Sequence, residues 1–341
     1  MKELIRKVVE TFGVSGSEGN IRKVLEEEIR PYVDEVRTDV LGNLICHKKP
    51  TTGGAGAAGD AAHAPKVMLA AHMDQIGLMV THIDDNGFLR FGNVGGVSPL
   101  TLLMNRMVFE NGTVGVVGME KIDDPKDLRL DKLFIDIGAT DRASAEKKVQ
   151  IGDTCTFATA MVDLGDRLVS RAMDDRVACA ILVEAAKNLK ATENDVYFVF
   201  TVQEEVGLRG ARTAAFGVDP DLGIAVDVTR TGDTPKGITM ECGLGKGAAI
   251  KVKDAAIMVH PAVRAFLVDT AKAGGVKYQM EVLEQGGTDA GAIHLTRAGV
   301  PSGTISIPTR YLHSPSEMVD INDVQACVDL IVKALEKRVP F

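Results

Sequence analysis

Three apolar runs in this chain each lead into residues able to bind a cation. Lys66 to Ala71 (KVMLAA) leads into His72 and Asp74, Val199 to Val202 (VFTV) into Glu204 and Glu205, and Leu222 to Val226 (LGIAV) into Asp227. Short β-branched and apolar runs of this kind read as buried parallel strands. An open α/β sheet collects its ligands at the carboxyl ends of such strands. Two further residues fall in comparable places: Asp174 in SRAMDDR, at the start of a helical pattern, and His313 in YLHSP, after the run Gly303 to Ile307. Taken singly, Asp174 reads as a helix N-cap, Glu204 and Glu205 as a solvated pair, and each histidine as a packed or solvated ring. Taken together they describe one site. Asp74 follows His72 by two residues, so an extended backbone puts both side chains on one face. An aspartate so placed can hold one ring nitrogen while the other binds a metal. Histidine and carboxylate donors without thiolates suit Zn, Co or Mn. Three carboxylates and two histidines exceed what one catalytic zinc takes and suit two ions that share a carboxylate.

The bulk properties set the frame for such a site. The chain has 341 residues, which suggests about two domains. It carries 47 acidic and 39 basic residues, a net charge of −8, with no basic stripe, which argues against a nucleic-acid partner. Five cysteines, an odd number with no C-x-x-C spacing, argue against a disulfide framework. The amphipathic, charged beginning MKELIRKVVETFG lacks a signal-peptide apolar core. No apolar run approaches the ~20 residues of a membrane span, so a cytoplasmic protein with no membrane partner is expected. Tryptophan is absent and aromatics make up 4%, which disfavours sugar-stacking or base-stacking surfaces.

The elements that must position these residues follow from periodicity. Helical stripes occupy Lys2 to Phe12 and a segment from Ser17, a plausible N-cap, to about Ile29. Residues 33–49 read as two short strands joined near Gly42-Asn43. Thr51 to Pro65, rich in Gly and Ala, reads as a loop in which His63 is solvated. From Gln75 to Leu164 the pattern changes to short strands and turns, with an Asn111-Gly112 hairpin signal and one helix near Ala143 to Val149. Strand and helix then alternate. The helices are read at Asp174–Leu189, Arg209–Phe216, Ala262–Ala273, Ala290–Ala298 and Asn322–Lys337; the strands at Val196–Val202, Leu222–Val226, Gln279–Leu283 and Gly303–Ile307. The expected fold is α/β, a doubly wound, mainly parallel sheet with helices on both faces. Residues 1–74 and 165–341 would form the discontinuous main domain and 75–164 an inserted, small β-rich domain.

HMDQIGLMV, SRAMDDRV, QEEVGLRGA, AVDV, GGTDA and YLHSP occur in this order. As an ordered set covering essentially the whole chain, they resemble the tetrahedral aminopeptidases. This metallopeptidase family includes glutamyl and deblocking aminopeptidases, and some members have been called endoglucanases. The resemblance implies two divalent ions per subunit. His72 and Asp227 would bind one, Glu205 and His313 the other, and Asp174 would bridge them. Glu204 would be the general base, and Asp74 would orient His72. It also implies peptide substrates, and self-association to dimers and hollow dodecamers through the inserted domain. Gln75 stands where many members have Glu, which removes no ligand. Thr288 and Asp289 in GGTDA are expected near the site without an assigned role. Three rival readings share parts of this pattern: a dimetal deacetylase or carboxypeptidase acting on N-acyl amino acids, an endoglucanase, and a scaffold that kept the fold. A scaffold predicts degraded ligands, and here the full set is present.

Overall fold

The computed structural model describes residues 1–51 and 64–341. The expected Gly/Ala-rich loop, with His63, lies outside the described residues except at its two ends.

The chain opens with helices α1 (Lys2–Glu10) and α2 (Gly19–Ile29), then strands β1 (Glu35–Thr38), β2 (Leu44–Lys48) and β3 (Lys66–His72). Six strands follow: β4 (Gly77–Ile83), β5 (Leu89–Val94), β6 (Arg106–Phe109), β7 (Val114–Met119), β8 (Leu133–Asp136) and β9 (Thr154–Phe157). Two short helices, α3 (Pro99–Leu102) and α4 (Arg142–Glu146), lie among them. The remainder runs β10 (Val162–Asp163), β11 (Arg167–Ser170), α5 (Met173–Asn188), β12 (Asp195–Thr201), α6 (Arg209–Val218) and β13 (Leu222–Thr229). It ends with β14 (Ala248–Lys253), α7 (Pro261–Gly274), β15 (Tyr278–Val282), α8 (Ala290–Ile293), β16 (Ser302–Arg310), β17 (Glu317–Asp320) and α9 (Ile321–Leu335).

Strands β4 to β9 close into a barrel in the order β4-β5-β8-β7-β6-β9. Its interior is a core of its own, built on Leu78, Leu89, Met107, Phe109, Ile135 and Phe157. The expected separate β-rich domain is this barrel, and closure removes the open edges that so small a sheet would otherwise present. The return to the larger sheet begins at Val162, ahead of residue 165, because β10 pairs antiparallel with β11.

The larger sheet has 11 strands. Its centre, β12-β3-β13-β16, is parallel throughout, as the apolar runs of those strands predict. The flanks are antiparallel: β1-β2-β12 on one side, β16-β17-β11-β10 on the other, with β14 joined antiparallel to β16. Helices α1, α2, α5 and α9 pack on one face over a core that includes Val177, Ile181, Leu69, Phe198 and Ile305. Helices α6 and α8 cover the other face, where Ala211, Ala215 and Ile293 meet Met68, Ala70 and Val199.

Three local expectations are corrected. Ser17 does not cap α2; Glu18 holds the N-cap position, and its side chain turns away to accept from the Gly16 and Gln203 N–H groups. The helix expected over 290–298 stops at Ile293, where Arg297 (φ 50°) and Gly299 (φ 102°) turn the chain left-handed into β16. Asp227 does not follow its strand: β13 continues to Thr229, because its neighbour β16 runs on beside it and pairs Asp227 with Ser306.

Candidate metal centre

Parallel register brings the strand ends level. Thr201 of β12 lies opposite His72 of β3, and Ala225 of β13 opposite Ala70, so Asp227 stands beside the end of β3. Beyond β12 the backbone turns at once. Gln203 adopts a left-handed conformation (φ 55°), Glu204 and Glu205 form the turn, and Gly207 (φ 123°) supplies a backbone that a side chain would strain. The N–H groups of Gly207 and Leu208 return to the Glu204 carbonyl and close the turn. Asp174 arrives from the first turn of α5, where its ψ of 107° departs from the helix. His313 arrives from the loop after β16, itself left-handed (φ 59°).

These residues converge in two groups. The donor atoms of His72, Asp174 and Asp227 lie within 4.8 Å of one another, and so do those of Asp174, Glu205 and His313. Asp174 belongs to both. His72 Nε2 is 3.1 Å from Asp174 Oδ1 and 4.0 Å from Asp227 Oδ1. His313 Nε2 is 3.4 Å from Asp174 Oδ2 and 3.6 Å from Glu205 Oε2. Glu204 belongs to neither group, yet its Oε2 lies 3.8 Å from His72 Nε2. All six side chains line one cavity of about 560 Å³.

The remaining ring nitrogens face the protein. His72 Nδ1 lies 3.2 Å from the Asp74 carbonyl and 3.4 Å from Asp74 Oδ1, which fixes Nε2 toward the group. His313 Nδ1 lies 2.7 Å from the carbonyl of Gly96, a residue that follows β5 of the barrel. Any side chain at Gly96 would collide with that ring, since a Cβ there falls 2.6 Å from His313 Nδ1.

The electrostatics ask for cations. Burial pushes the Glu204 and Asp227 carboxyls well above their usual range, and neighbouring carboxylates add to it. Burial, then Asp174, lifts Glu205 to about 8. Against its burial, His313 is held up to about 10 by Asp174 and Glu205. Against its burial, Asp174 is held below the usual carboxylate range by His313 and His72. Glu205 Oε1 is buried with no hydrogen-bond partner. Two buried and two half-buried acids around two imidazoles, with an unpartnered oxygen among them, form a donor set that fits divalent ions.

Further residues support the centre, and of these Ser15, Asp175, Glu317 and Gly96 carried no signal in the sequence. Asp74 accepts from the Glu204 N–H (3.0 Å), the Glu205 N–H (3.2 Å) and the Ser15 hydroxyl (2.6 Å). Glu317 accepts from the backbone N–H groups of both His313 (2.8 Å) and Asp174 (3.0 Å). Asp175 accepts from the His72 N–H at 3.2 Å. Of the GGTDA pair, Thr288 lines the cavity and Asp289 accepts from the Thr201 hydroxyl at 2.5 Å. Gly96 acts through its carbonyl, which side-chain reading does not see.

Residues 53–330 match the M42 glutamyl aminopeptidase family. The chain is 52% identical over 336 residues to a protein of Acetivibrio thermocellus, covering 98% of each. It is 39% identical over 353 residues to the lysyl aminopeptidase of Pyrococcus furiosus, covering 99% of this chain and 98% of that one. The TET1 peptidase of Pyrococcus horikoshii, which can assemble into a tetrahedron or a large octahedral shell, superimposes with a TM-score of 0.85 at 32% identity, covering 97% and 98% of the two chains. The chain therefore belongs to the M42 glutamyl aminopeptidase family and is a metallopeptidase that removes residues from peptide N-termini.

Proposed function

We propose that this aminopeptidase works with two divalent ions and with Glu204 as general base. The observation that carries the reading is the pair of ligand groups sharing Asp174, with Glu204 beside them and in neither. His72 and Asp227 would hold one ion, Glu205 and His313 the other, and Asp174 both. When bound, such ions supply Lewis acidity toward a water and a peptide carbonyl. Ligand chemistry admits Zn, Co or Mn.

Glu204 does the proton work. Its burial and acidic neighbours favour its protonated form, and cations in the adjacent groups restore the carboxylate that a base needs. It takes a proton from the attacking water and delivers it to the departing amine as the C–N bond breaks. The Asp74 carboxylate holds the backbone of Glu204 and Glu205 and faces His72 Nδ1, whose hydrogen bond goes to the Asp74 carbonyl, so one residue sets three positions. The substrate is a peptide with a free amino terminus. An endoglucanase would need two carboxyls facing each other across a sugar cleft; here every carboxylate that lines the cavity, except Glu204, sits within a ligand group.

Residues 75–164 would serve as the assembly domain. The barrel leaves Leu100, Met104, Val114 and Val116 exposed, and the horikoshii relative builds closed shells, which supports self-association to a dimer and a tetrahedral dodecamer.

The test is to strip metal with EDTA, restore Zn, Co or Mn, and follow aminoacyl-p-nitroanilides beside an N-acetylated control and carboxymethylcellulose. Metal-restored release from free amines alone is expected. Activity on the blocked substrate or the polysaccharide, with none on free amines, would refute the reaction assigned.

A further inference from the structure

The two ligand groups are held in unequal ways. His72 is the last residue of β3 and Asp227 lies within β13, so both take their places from the parallel sheet. The second group has less support of that kind. Glu205 lies in the turn after β12, His313 in the loop between β16 and β17, and Asp174 where the first turn of α5 departs from helical geometry. His313 also has a left-handed backbone (φ 59°), as does Tyr311 two residues earlier (φ 61°). Residues other than glycine stay in that region only where their surroundings hold them there.

The hold comes from Glu317. It opens β17 opposite Ser170, the last residue of β11, and the next residue, Met318, pairs with Arg310 at the end of β16. Its carboxylate therefore stands where the β16–β17 loop meets the connection from β11 to α5. Oε1 accepts from the His313 N–H at 2.8 Å and Oε2 from the Asp174 N–H at 3.0 Å. The residue is only 2% exposed, and among the described residues no lysine or arginine pairs with it. Burying a carboxylate without a cation is costly, and the side-chain hydrogen bonds this one gains go to the backbones of two expected ligands. Glu317 belongs to neither ligand group and does not line the cavity, so whatever it contributes passes through Asp174 and His313.

One side chain thus yokes the shared ligand to the loop-borne one. Cutting the yoke leaves Asp174 beside His72, 3.1 Å from a ring that β3 and the Asp74 carbonyl fix. It leaves the backbone of His313 without the acceptor that sets its place in the loop. Resting on the two-ion reading above, we propose that Glu317 is the positioning residue of the second ion: it fixes the separation of Asp174 and His313, and the affinity of the second ion depends on it far more than that of the first.

The experiment strips the protein with EDTA, returns Zn at buffered free concentrations and counts the ions bound per chain by atomic emission. The wild-type protein should take two. In Glu317→Gln the amide oxygen can hold one of the two N–H groups while the NH₂ faces the other, donor against donor. The second ion should weaken ~10–100-fold and the first by less than ~3-fold, so that at intermediate free Zn the variant holds one ion and the wild type two. His313→Ala, which lacks a ligand of the second group, identifies the retained step. Glu317→Asp keeps the charge but is one methylene too short to hold both N–H groups; it should show the same split and carries the test if Glu317→Gln does not fold. A merely structural role would weaken both ions alike, and that result overturns the proposal, as does a folded variant that binds both ions as the wild type does. A wild-type protein that takes a single ion would overturn the two-ion reading and this assignment with it.

Discussion

Asp74→Asn perturbs the centre without touching an expected ligand. Asp74 is fully buried and accepts three hydrogen bonds, from Ser15, Glu204 and Glu205, while also facing His72 Nδ1. The amide can offer only one oxygen. If that oxygen keeps Ser15 and Glu205, the NH₂ group points at the Glu204 N–H and at the histidine nitrogen, donor against donor. The loss comprises one charge-assisted bond, worth ~1.5–3 kcal/mol, and one buried N–H left unpaired, at ~1–3 kcal/mol. A total of about 3–5 kcal/mol is expected. Ser15→Ala removes a single donor and leaves the carboxylate its two N–H bonds, so about 1 kcal/mol is expected there. Thermal unfolding in EDTA measures this loss with metal excluded; Asp74→Asn should lower Tm by ~10 °C, several times the effect of Ser15→Ala. Competition with a chelator measures affinity, which should weaken ~10–100-fold as His72 Nδ1 keeps the Asp74 carbonyl but meets an amide in place of the carboxylate. An Asp74→Asn protein with wild-type Tm in EDTA and metal affinity within ~3-fold of wild type would refute the reasoning.

Glu204→Gln should lower kcat by ~10²–10⁴ while metal content, read by atomic emission, stays unchanged; loss of bound metal would instead make Glu204 a ligand. His313→Ala should reduce the metal count from two per chain to one, and an unchanged count would contradict its assignment to the second group. The metal-free protein should lose stability as pH rises. Glu205 is lifted from 4.5 to about 8 in the fold, so between those values the folded state binds more protons than the unfolded chain and stability falls with pH. His313, held up to about 10, continues the loss from its ordinary 6.5 upward. Metal loading should flatten this slope between pH 5 and 8, and calorimetry in EDTA and in excess Zn compares the two directly.

The residues legible in the sequence were those whose neighbours encode their position. His72, Asp227, Glu204 and Glu205 follow apolar runs that can only be buried strands, and parallel pairing does the rest. Asp174 and His313 were harder, because a helix start and a loop say little about direction; only the ordered set of motifs picked them out. Glu317 was invisible: it sits in SPSEMVD with no pattern around it, and its role is to accept from two backbone N–H groups brought together by tertiary packing. The same holds for Ser15, in a glycine-rich loop that reads as a simple connection. Strand β14 was missed because its apolar start is followed by Lys251, a charge whose partners, Asp254 and Glu281, are a turn and a strand away. The antiparallel flank of β10, β11 and β17 escaped for a related reason: these strands are two to four residues long, too short to show a period.

The interleaving of the chain through its sheet has a consequence for how the protein is made. His72 leaves the ribosome early, but its strand β3 lies between β12 and β13, which are synthesised after the whole barrel. The barrel strands all fall between Gly77 and Phe157, so that unit can close from consecutive segments while β3 waits unpaired. At ~5–20 residues per second, that interval lasts many seconds. The waiting strand, KVMLAAH, is almost entirely apolar, which makes it the segment of the nascent chain most in need of cover. His313 emerges last of the five expected ligands, so the shared Asp174 can acquire its second set of neighbours only near the end of synthesis, and metal uptake becomes a late event in maturation.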